Sequence, residues 1–187
     1  MIIEVAPFWD RANFGQWLTR TGRLGSAVEI GTDWGKFAHQ LLSGWQGRLT
    51  CVDPWSSQPG YHQCSEDREG ALATARQHLS PFSERVTFLR QTSAEAAPSF
   101  ADSSLDFAYV DGDHRYEMVR QDLDLWWPKV RNGGVLAGHD FAAPPPSNSG
   151  WACWVQKAVM EFAAERSRDL YLVVEQNGDH WSWYLEK

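Results

Sequence analysis

Several things are scarce in this chain, and each scarcity excludes something. Cysteine is rare. Cys51, Cys64 and Cys153 are odd in number, dispersed and without any C-x-x-C spacing, which argues against a disulfide framework or a zinc site. No apolar run approaches the ~20 residues that a helix needs to cross a bilayer. The opening Met1-Ile2-Ile3-Glu4-Val5-Ala6-Pro7 lacks the basic flank and long apolar stretch of a signal peptide. Positive charge is short as well: 17 Lys and Arg against 24 Asp and Glu leave a net charge of −7. No basic run has the density of a nucleic-acid face, and an acidic surface does not suit anionic membranes. Internal repeats are missing. The expectation is a protein of a reducing compartment, the cytoplasm, with neither nucleic acid nor membrane as partner.

What is present is enough for one domain spanning 1–187. The hydrophobic fraction of 43% is ordinary, but eleven Trp are not. Most should be core and perimeter packing. Surface Trp also suits planar ligands, and it hints at self-association into a homo-oligomer. Short apolar runs alternate with helix-like stretches, which predicts an α/β fold with a mainly parallel sheet. Strands are expected at 27–30, 49–52, 86–89, 105–110, 135–138, 170–174 and 181–185. Helices are expected within 8–23, at 34–42 and 65–79, in a short stretch ending at Pro98, and at 116–127 and 151–165. Asn132-Gly133-Gly134 reads as a turn into the fifth of these strands, and Gln176-Asn177-Gly178-Asp179 as a hairpin turn between the last two.

In an open α/β sheet, ligands bind outside the carboxyl ends of the strands. The first expected strand ends Glu29-Ile30-Gly31-Thr32-Asp33-Trp34-Gly35. The glycines let a backbone pass close to a ligand, and the next helix opens with free N–H groups. The pattern is E-x-G-x-x-x-G, not the dinucleotide fingerprint G-x-G-x-x-G; taken alone it is equally a tight turn. The second strand ends at Asp53-Pro54-Trp55. Asp53 suits the two hydroxyls of a ribose, or a turn before Pro54. Trp55 suits stacking on a purine, or packing. After the third strand, Ser93 falls where an adenine would sit, and it also reads as a helix N-cap. The fourth strand ends Asp111-Gly112-Asp113-His114, and the fifth ends Gly138-His139-Asp140-Phe141. If these two strands are neighbours, Asp111 and Asp140 converge, and a divalent cation would relieve their repulsion. Asp111, His139 and Asp140 are the candidate ligands. His114, about one helical turn beyond Asp111, is the candidate general base. Asp113 is left with three roles: orienting His114, touching a cofactor, or capping a helix.

In this order, these strand-end residues resemble the class I S-adenosylmethionine-dependent methyltransferases over roughly 27–141. The closer resemblance is to small metal-dependent O-methyltransferases of the macrocin and cephalosporin type. It is carried by Val28 to Gly35, Val52 to Trp55, Val110 to Tyr116 and Asn132 to Phe141. It implies a Rossmann-like, seven-stranded mixed sheet in the order 3-2-1-4-5-7-6, with strand 7 antiparallel. It implies S-adenosylmethionine bordered by Glu29, Gly31, Thr32, Asp33 and Gly35, its ribose on Asp53, with Trp55, Ser93 and Asp111 nearby. It implies magnesium at Asp111 and the His139-Asp140 pair, and a base at His114. Relatives commonly carry a carboxylate or amide where this chain has His139. An imidazole suits softer ions, so two alternatives stay open: the metal is manganese or another ion rather than magnesium, or His139 stands aside from it.

The expected chemistry is transfer of a methyl group from S-adenosylmethionine to a hydroxyl of a small-molecule or glycan acceptor. Asp111 and His114 form the catalytic pair. The loops 54–64 (Trp55, Tyr61, His62) and 141–154 (Pro144-Pro145-Pro146, Trp151) are the expected acceptor contacts. Three other readings stay open on sequence: a metal-independent N- or carboxyl-methyltransferase, a nicotinamide oxidoreductase that the glycine spacing disfavours, and a non-catalytic S-adenosylmethionine-binding module.

Overall fold

The computed structural model describes residues 1–8, 10–56, 67–142, 153–174 and 181–187. Among the described residues, eight strands form one sheet: β1 (Ile3–Val5), β2 (Ser26–Ile30), β3 (Arg48–Val52), β4 (Val86–Leu89), β5 (Leu105–Val110), β6 (Val130–Phe141), β7 (Leu170–Val173) and β8 (Trp181–Glu186). Their order across it is β1-β7-β8-β6-β5-β2-β3-β4. β8 runs antiparallel to β6 and β7, and the other pairings are parallel. The helices are α1 (Phe14–Arg20), α2 (Lys36–Gly44), α3 (Arg68–His78), α4 (Ser93–Ala96), α5 (Tyr116–Trp126) and α6 (Val155–Glu165).

With β1 set aside, this is the expected seven-stranded order with its last strand antiparallel. The eighth strand corrects the expected count. β1 is three residues long, exposed throughout and placed at the sheet edge beside β7. A segment so short and so little buried leaves no periodicity to read.

The strands between the layers carry the continuous apolar runs expected where both faces are covered. β5 is buried at every residue. On one face, Phe14, Leu18, Leu41, Leu42 and Ala75 of α1, α2 and α3 pack on Leu49, Phe107 and Tyr109. On the other, Val119, Leu123, Trp126, Val159 and Phe162 of α5 and α6 pack on Val28, Ala108 and Leu136. A buried Leu or Phe side chain contributes about 1.5–3 kcal/mol through such burial. Buried tryptophans find acceptors, as their indole N–H requires. Trp45 donates to Arg23 O at 2.5 Å, Trp126 to Ser93 Oγ at 2.8 Å and Trp183 to His139 O at 3.1 Å.

One local expectation holds, a first helix within 8–23, and one is corrected. The first helical region is a 3-10 turn (Arg11–Asn13) followed by α1, and Asp10 Oδ1 accepts Ala12 N–H at 2.9 Å to start it. Asn132-Gly133-Gly134 lies inside β6 rather than before it. It is absorbed as an irregularity, since the β5–β6 register shifts between Leu105 and Phe107 and Gly133 has φ +75°. The 176–179 turn, Cys64 and most of the two acceptor loops lie outside the described residues. Cys51 and Cys153 are buried free thiols. No helix among the described residues is long and apolar enough to cross a membrane.

β2 has β3 on one side and β5 on the other. The winding reverses there, and the carboxyl ends of β2, β3 and β5 open onto one cleft, where such sheets bind ligands.

Candidate active site

A cavity of about 550 Å³ occupies that cleft. Its floor is the turn between β2 and α2. Gly31 takes φ +85°, and a Cβ there would lie 2.2 Å from Asp111 O. Only glycine lets β2 and β5 approach this closely. Gly35 begins α2 in the left-handed region, at φ +73°, with a Cβ position 3.1 Å from Ala75 Cα.

Glu29 is 1% exposed at the end of β2. Burial holds its carboxyl well above the usual range, with Asp111 and Asp53 adding to the effect and Thr32 and Arg11 opposing it. Glu29 Oε2 and Thr32 Oγ1 are buried without hydrogen-bond partners, so Thr32 acts on Glu29 by proximity rather than by a bond of normal geometry. Both residues line the cavity. A buried, unsatisfied carboxyl oxygen costs about 1–3 kcal/mol and calls for a donor.

Asp53 is buried and accepts three hydrogen bonds, one of them on Oδ2. Its Oδ2 accepts Asp33 N–H at 3.0 Å, and its Oδ1 accepts Trp55 N–H at 2.6 Å. Arg68 Nη2 also donates to Oδ1 at 3.1 Å, while its Nη1 reaches Asp33 Oδ1 at 2.8 Å. Burial raises Asp33 despite Arg68. Arg68 was not singled out from the sequence. The available signal is its position in the first turn of α3, where the helix dipole disfavours a cation, so a local carboxylate had to compensate.

Trp55 corrects an expectation. Its side chain is 1% exposed and sits in the core near Phe88, with its indole N–H donating to Asp33 O at 2.9 Å. It presents no face for stacking. Ser93 lines the cavity, but Thr92 takes the N-cap role, in a capping box with Glu95. Asp122, near Ser93, is a buried cavity residue whose carboxyl is pushed up to about 7, first by burial.

Beside the cavity, the ends of β5 and β6 build a second group, of which Asp111 and His114 line the cavity and His139 and Asp140 do not. Val110 pairs with Gly138, which sets Asp111 beside His139. In a regular strand His139 and Asp140 would point to opposite faces. Asp140 instead takes φ +56°, and the β6–β8 register breaks between Gly138 and Phe141. The kink turns both side chains into one cluster. His139 Nδ1 lies 3.2 Å from Asp140 Oδ2 and 3.9 Å from Asp111 Oδ1. His114 Nε2 lies 3.0 Å from Asp140 Oδ2. One donor atom from each of Asp111, His139 and Asp140 falls within 4.8 Å of the others.

The charges there pull in opposite directions. Burial pushes Asp111 up to about 6, with Asp140 adding to the rise and His139, Arg11 and His114 resisting it. Burial would raise Asp140 too, but His114 and His139 hold it well below the usual carboxylate range. Burial lowers His114, and Asp140, Asp111 and Asp113 more than reverse that, so its pKa is raised. Two backbone contacts tie the approach to α6 onto this cluster: Trp154 N–H donates to His114 O at 2.8 Å, and Cys153 Sγ to Asp140 O at 3.3 Å. Asp113 is not directed at His114; its Oδ1 accepts Arg115 N–H at 2.9 Å and its Oδ2 accepts Arg115 Nε at 2.8 Å. Arg11, also not singled out from the sequence, reaches the cluster with Nη1 at 3.5 Å from Asp111 Oδ2.

The residues fit the groups that the resemblance implies. Two carboxylates and an imidazole make a donor set for a divalent cation, softer in character than an all-oxygen set. The glycine-floored cavity with buried, unpartnered Glu29 Oε2 and Thr32 Oγ1 offers an acceptor for a ligand's ammonium.

Comparison with known proteins bears on this arrangement. A family model described as a methyltransferase domain matches residues 28–141, more than half of the chain. Uncharacterized protein y4gI of Sinorhizobium fredii (strain NBRC 101917 / NGR234) is 29% identical over 153 residues. That stretch is 79% of this chain but 16% of y4gI, so the chain spans about one sixth of the curated relative it matches. Among solved structures, the O-methyltransferase from Bacillus cereus in complex with SAH superposes with TM-score 0.68 at 16% identity, covering 98% of this chain and 83% of that one. The O-methyltransferase TomG from Streptomyces achromogenes, involved in tomaymycin synthesis and solved with SAM, gives TM-score 0.65 at 14% identity, covering 95% and 79%. At these identities the superpositions show the shared fold.

Proposed function

The chain belongs to the methyltransferase-domain family, and from that premise we propose that it transfers a methyl group from S-adenosylmethionine to a hydroxyl of a small-molecule or sugar-containing acceptor. In this reading Asp111, His139 and Asp140 hold a divalent cation and His114 is the general base. The observation that carries it is the meeting of those three donor atoms within 4.8 Å, beside the Glu29–Gly35 cavity that Asp111 and His114 line.

When bound, the sulfonium cofactor supplies an electrophilic methyl group and the cation supplies Lewis acidity. The rest falls to the chain's own residues. Gly31 and Gly35 give the cofactor close backbone approach. Glu29 accepts a hydrogen bond from the cofactor's ammonium, and Asp53, fixed by Arg68, accepts from its ribose hydroxyls. His114 pairs through Nε2 with Asp140 at 3.0 Å, so its Nδ1 is the nitrogen that takes the acceptor hydroxyl's proton, and Asp140 stabilises the imidazolium that forms. His139 favours manganese over magnesium.

The test is methyl transfer from labelled S-adenosylmethionine to a panel of hydroxylated acceptors, before and after exhaustive EDTA treatment. Transfer should stop on chelation and return with manganese. His114→Ala should cut turnover by roughly 10²–10⁴ while leaving S-adenosylhomocysteine binding intact. Turnover indifferent to EDTA removes the cation from the reading, and full turnover in His114→Ala removes the base.

A further inference from the structure

The cavity is rich in acid. Glu29, Asp33, Asp53, Asp111, Asp113 and Asp122 all line it. A ligand that carries a carboxylate must find a cation in this field or be repelled. Three of the lining cations have other settings. Arg68 bridges Asp33 and Asp53, Arg115 is held by Asp113, and Lys36 is exposed at the start of α2.

Arg11 is placed differently. It leaves the 3-10 turn ahead of α1 and lines the cavity, where it meets Asp111 and the buried Tyr109 hydroxyl. Its Nη1 is 3.5 Å from Asp111 Oδ2, and its charge also acts on the buried Glu29 carboxyl. At 3.5 Å the contact with Asp111 is an ion pair longer than an ordinary hydrogen bond. A guanidinium has five donors in a planar fork, so it can keep Asp111 and still take a second carboxylate. Its side chain is 27% exposed, enough for a ligand to reach it.

An amino-acid terminus carries an ammonium and a carboxylate on one carbon. Glu29 Oε2, buried and without a partner, suits the ammonium. The neighbouring guanidinium suits the carboxylate. We propose that Arg11 anchors the α-carboxylate of the cofactor's methionine moiety, and so selects a ligand with an intact amino-acid end over one without it. The proposal rests on the reading that this cavity takes S-adenosylmethionine.

Calorimetric titration with two ligands tests it. One is S-adenosylhomocysteine; the other is its decarboxylated analogue, which keeps the ammonium and lacks the carboxylate. The wild-type chain should prefer S-adenosylhomocysteine by about 30-fold or more. Arg11→Met should lose about that factor for S-adenosylhomocysteine but less than about threefold for the analogue, which collapses the preference. Arg11→Lys, with a point charge in place of the fork, should recover part of it. Circular dichroism on each variant confirms that it is folded. Equal weakening toward both ligands, or toward neither, overturns the anchor and assigns Arg11 to balancing Asp111 while leaving the cofactor reading intact. A wild-type chain that binds neither ligand overturns the cofactor reading, and the anchor with it.

Discussion

At the β2–β3 end of the cavity, Asp53 sits among two backbone N–H groups and the Arg68 guanidinium. At the β5–β6 end, Asp140 sits between two imidazoles while Asp111 is pushed up to about 6. The first end shares one guanidinium between Asp33 and Asp53 and spreads its positive-φ backbone over Gly31, Asp33, Gly35 and Trp55. The second concentrates two carboxylates and two imidazoles, and puts its strain on Asp140 at φ +56°. The contrast separates two tasks. One end is shaped for a ligand that brings its own hydrogen-bonding groups. The other is organised around charge, and changing one group there redistributes the protons of the rest.

Three changes test how separate the two ends are. The largest effect is expected from Gly31→Ala, because Gly31 belongs to both. A Cβ 2.2 Å from Asp111 O, at φ +85°, must push β2 away from β5. The loss should be at least about 4 kcal/mol in urea unfolding, with cofactor and metal binding lost together. Loss of only one function would show that the ends are less tightly joined than the contact implies.

Next is Asp140→Asn, confined to the β5–β6 end. Methyl transfer should fall by roughly 10²–10³ and manganese binding should weaken, while S-adenosylhomocysteine affinity stays within about threefold. Electron paramagnetic titration of manganese and calorimetry with S-adenosylhomocysteine separate the two. A parallel drop in both affinities would erase the division.

The smallest change is Asp122→Asn. The Asp122 carboxyl has a raised pKa of about 7 in the folded chain, against an ordinary value of 3.8. The folded state therefore holds its proton where the unfolded state releases it. Stability from this group is complete below the unfolded value and is lost as pH rises toward 7. Asn removes that loss, so the variant should be more stable than wild type by on the order of 2 kcal/mol at pH 8 and little different at pH 4. Urea midpoints at the two pH values check it, and a gain independent of pH would show that the buried charge is not its source.

The parts of the fold that read clearly in the sequence are those whose signal is local. Leu105 to Val110 is an unbroken apolar run because both faces of β5 are covered. Phe37, Leu41 and Leu42 share the buried face of α2. Gly31 and Gly35 mark the turn that only glycine tolerates at those angles. The candidate site was legible where a residue ends a strand, as at Glu29, Asp53, Asp111 and His139-Asp140, because the sheet rule names that location before any contact is known. β1 was not legible, being too short and exposed to leave a pattern. Trp55 misled, because indole reads the same whether it stacks on a ligand or fills a core.

The sequence by itself determined the α/β alternation, the strand order once the resemblance was drawn, and the strand ends at which the cavity forms, since each follows from periodicity, glycine or a residue beside a strand end. Only the tertiary structure decided which charges meet there. Arg11 and Arg68 arrive from helical turns far along the chain from the carboxylates they face. The kink at Asp140 depends on how β6 pairs with β8. Charge pairing acts through space over a few ångströms, and chain position does not record that distance.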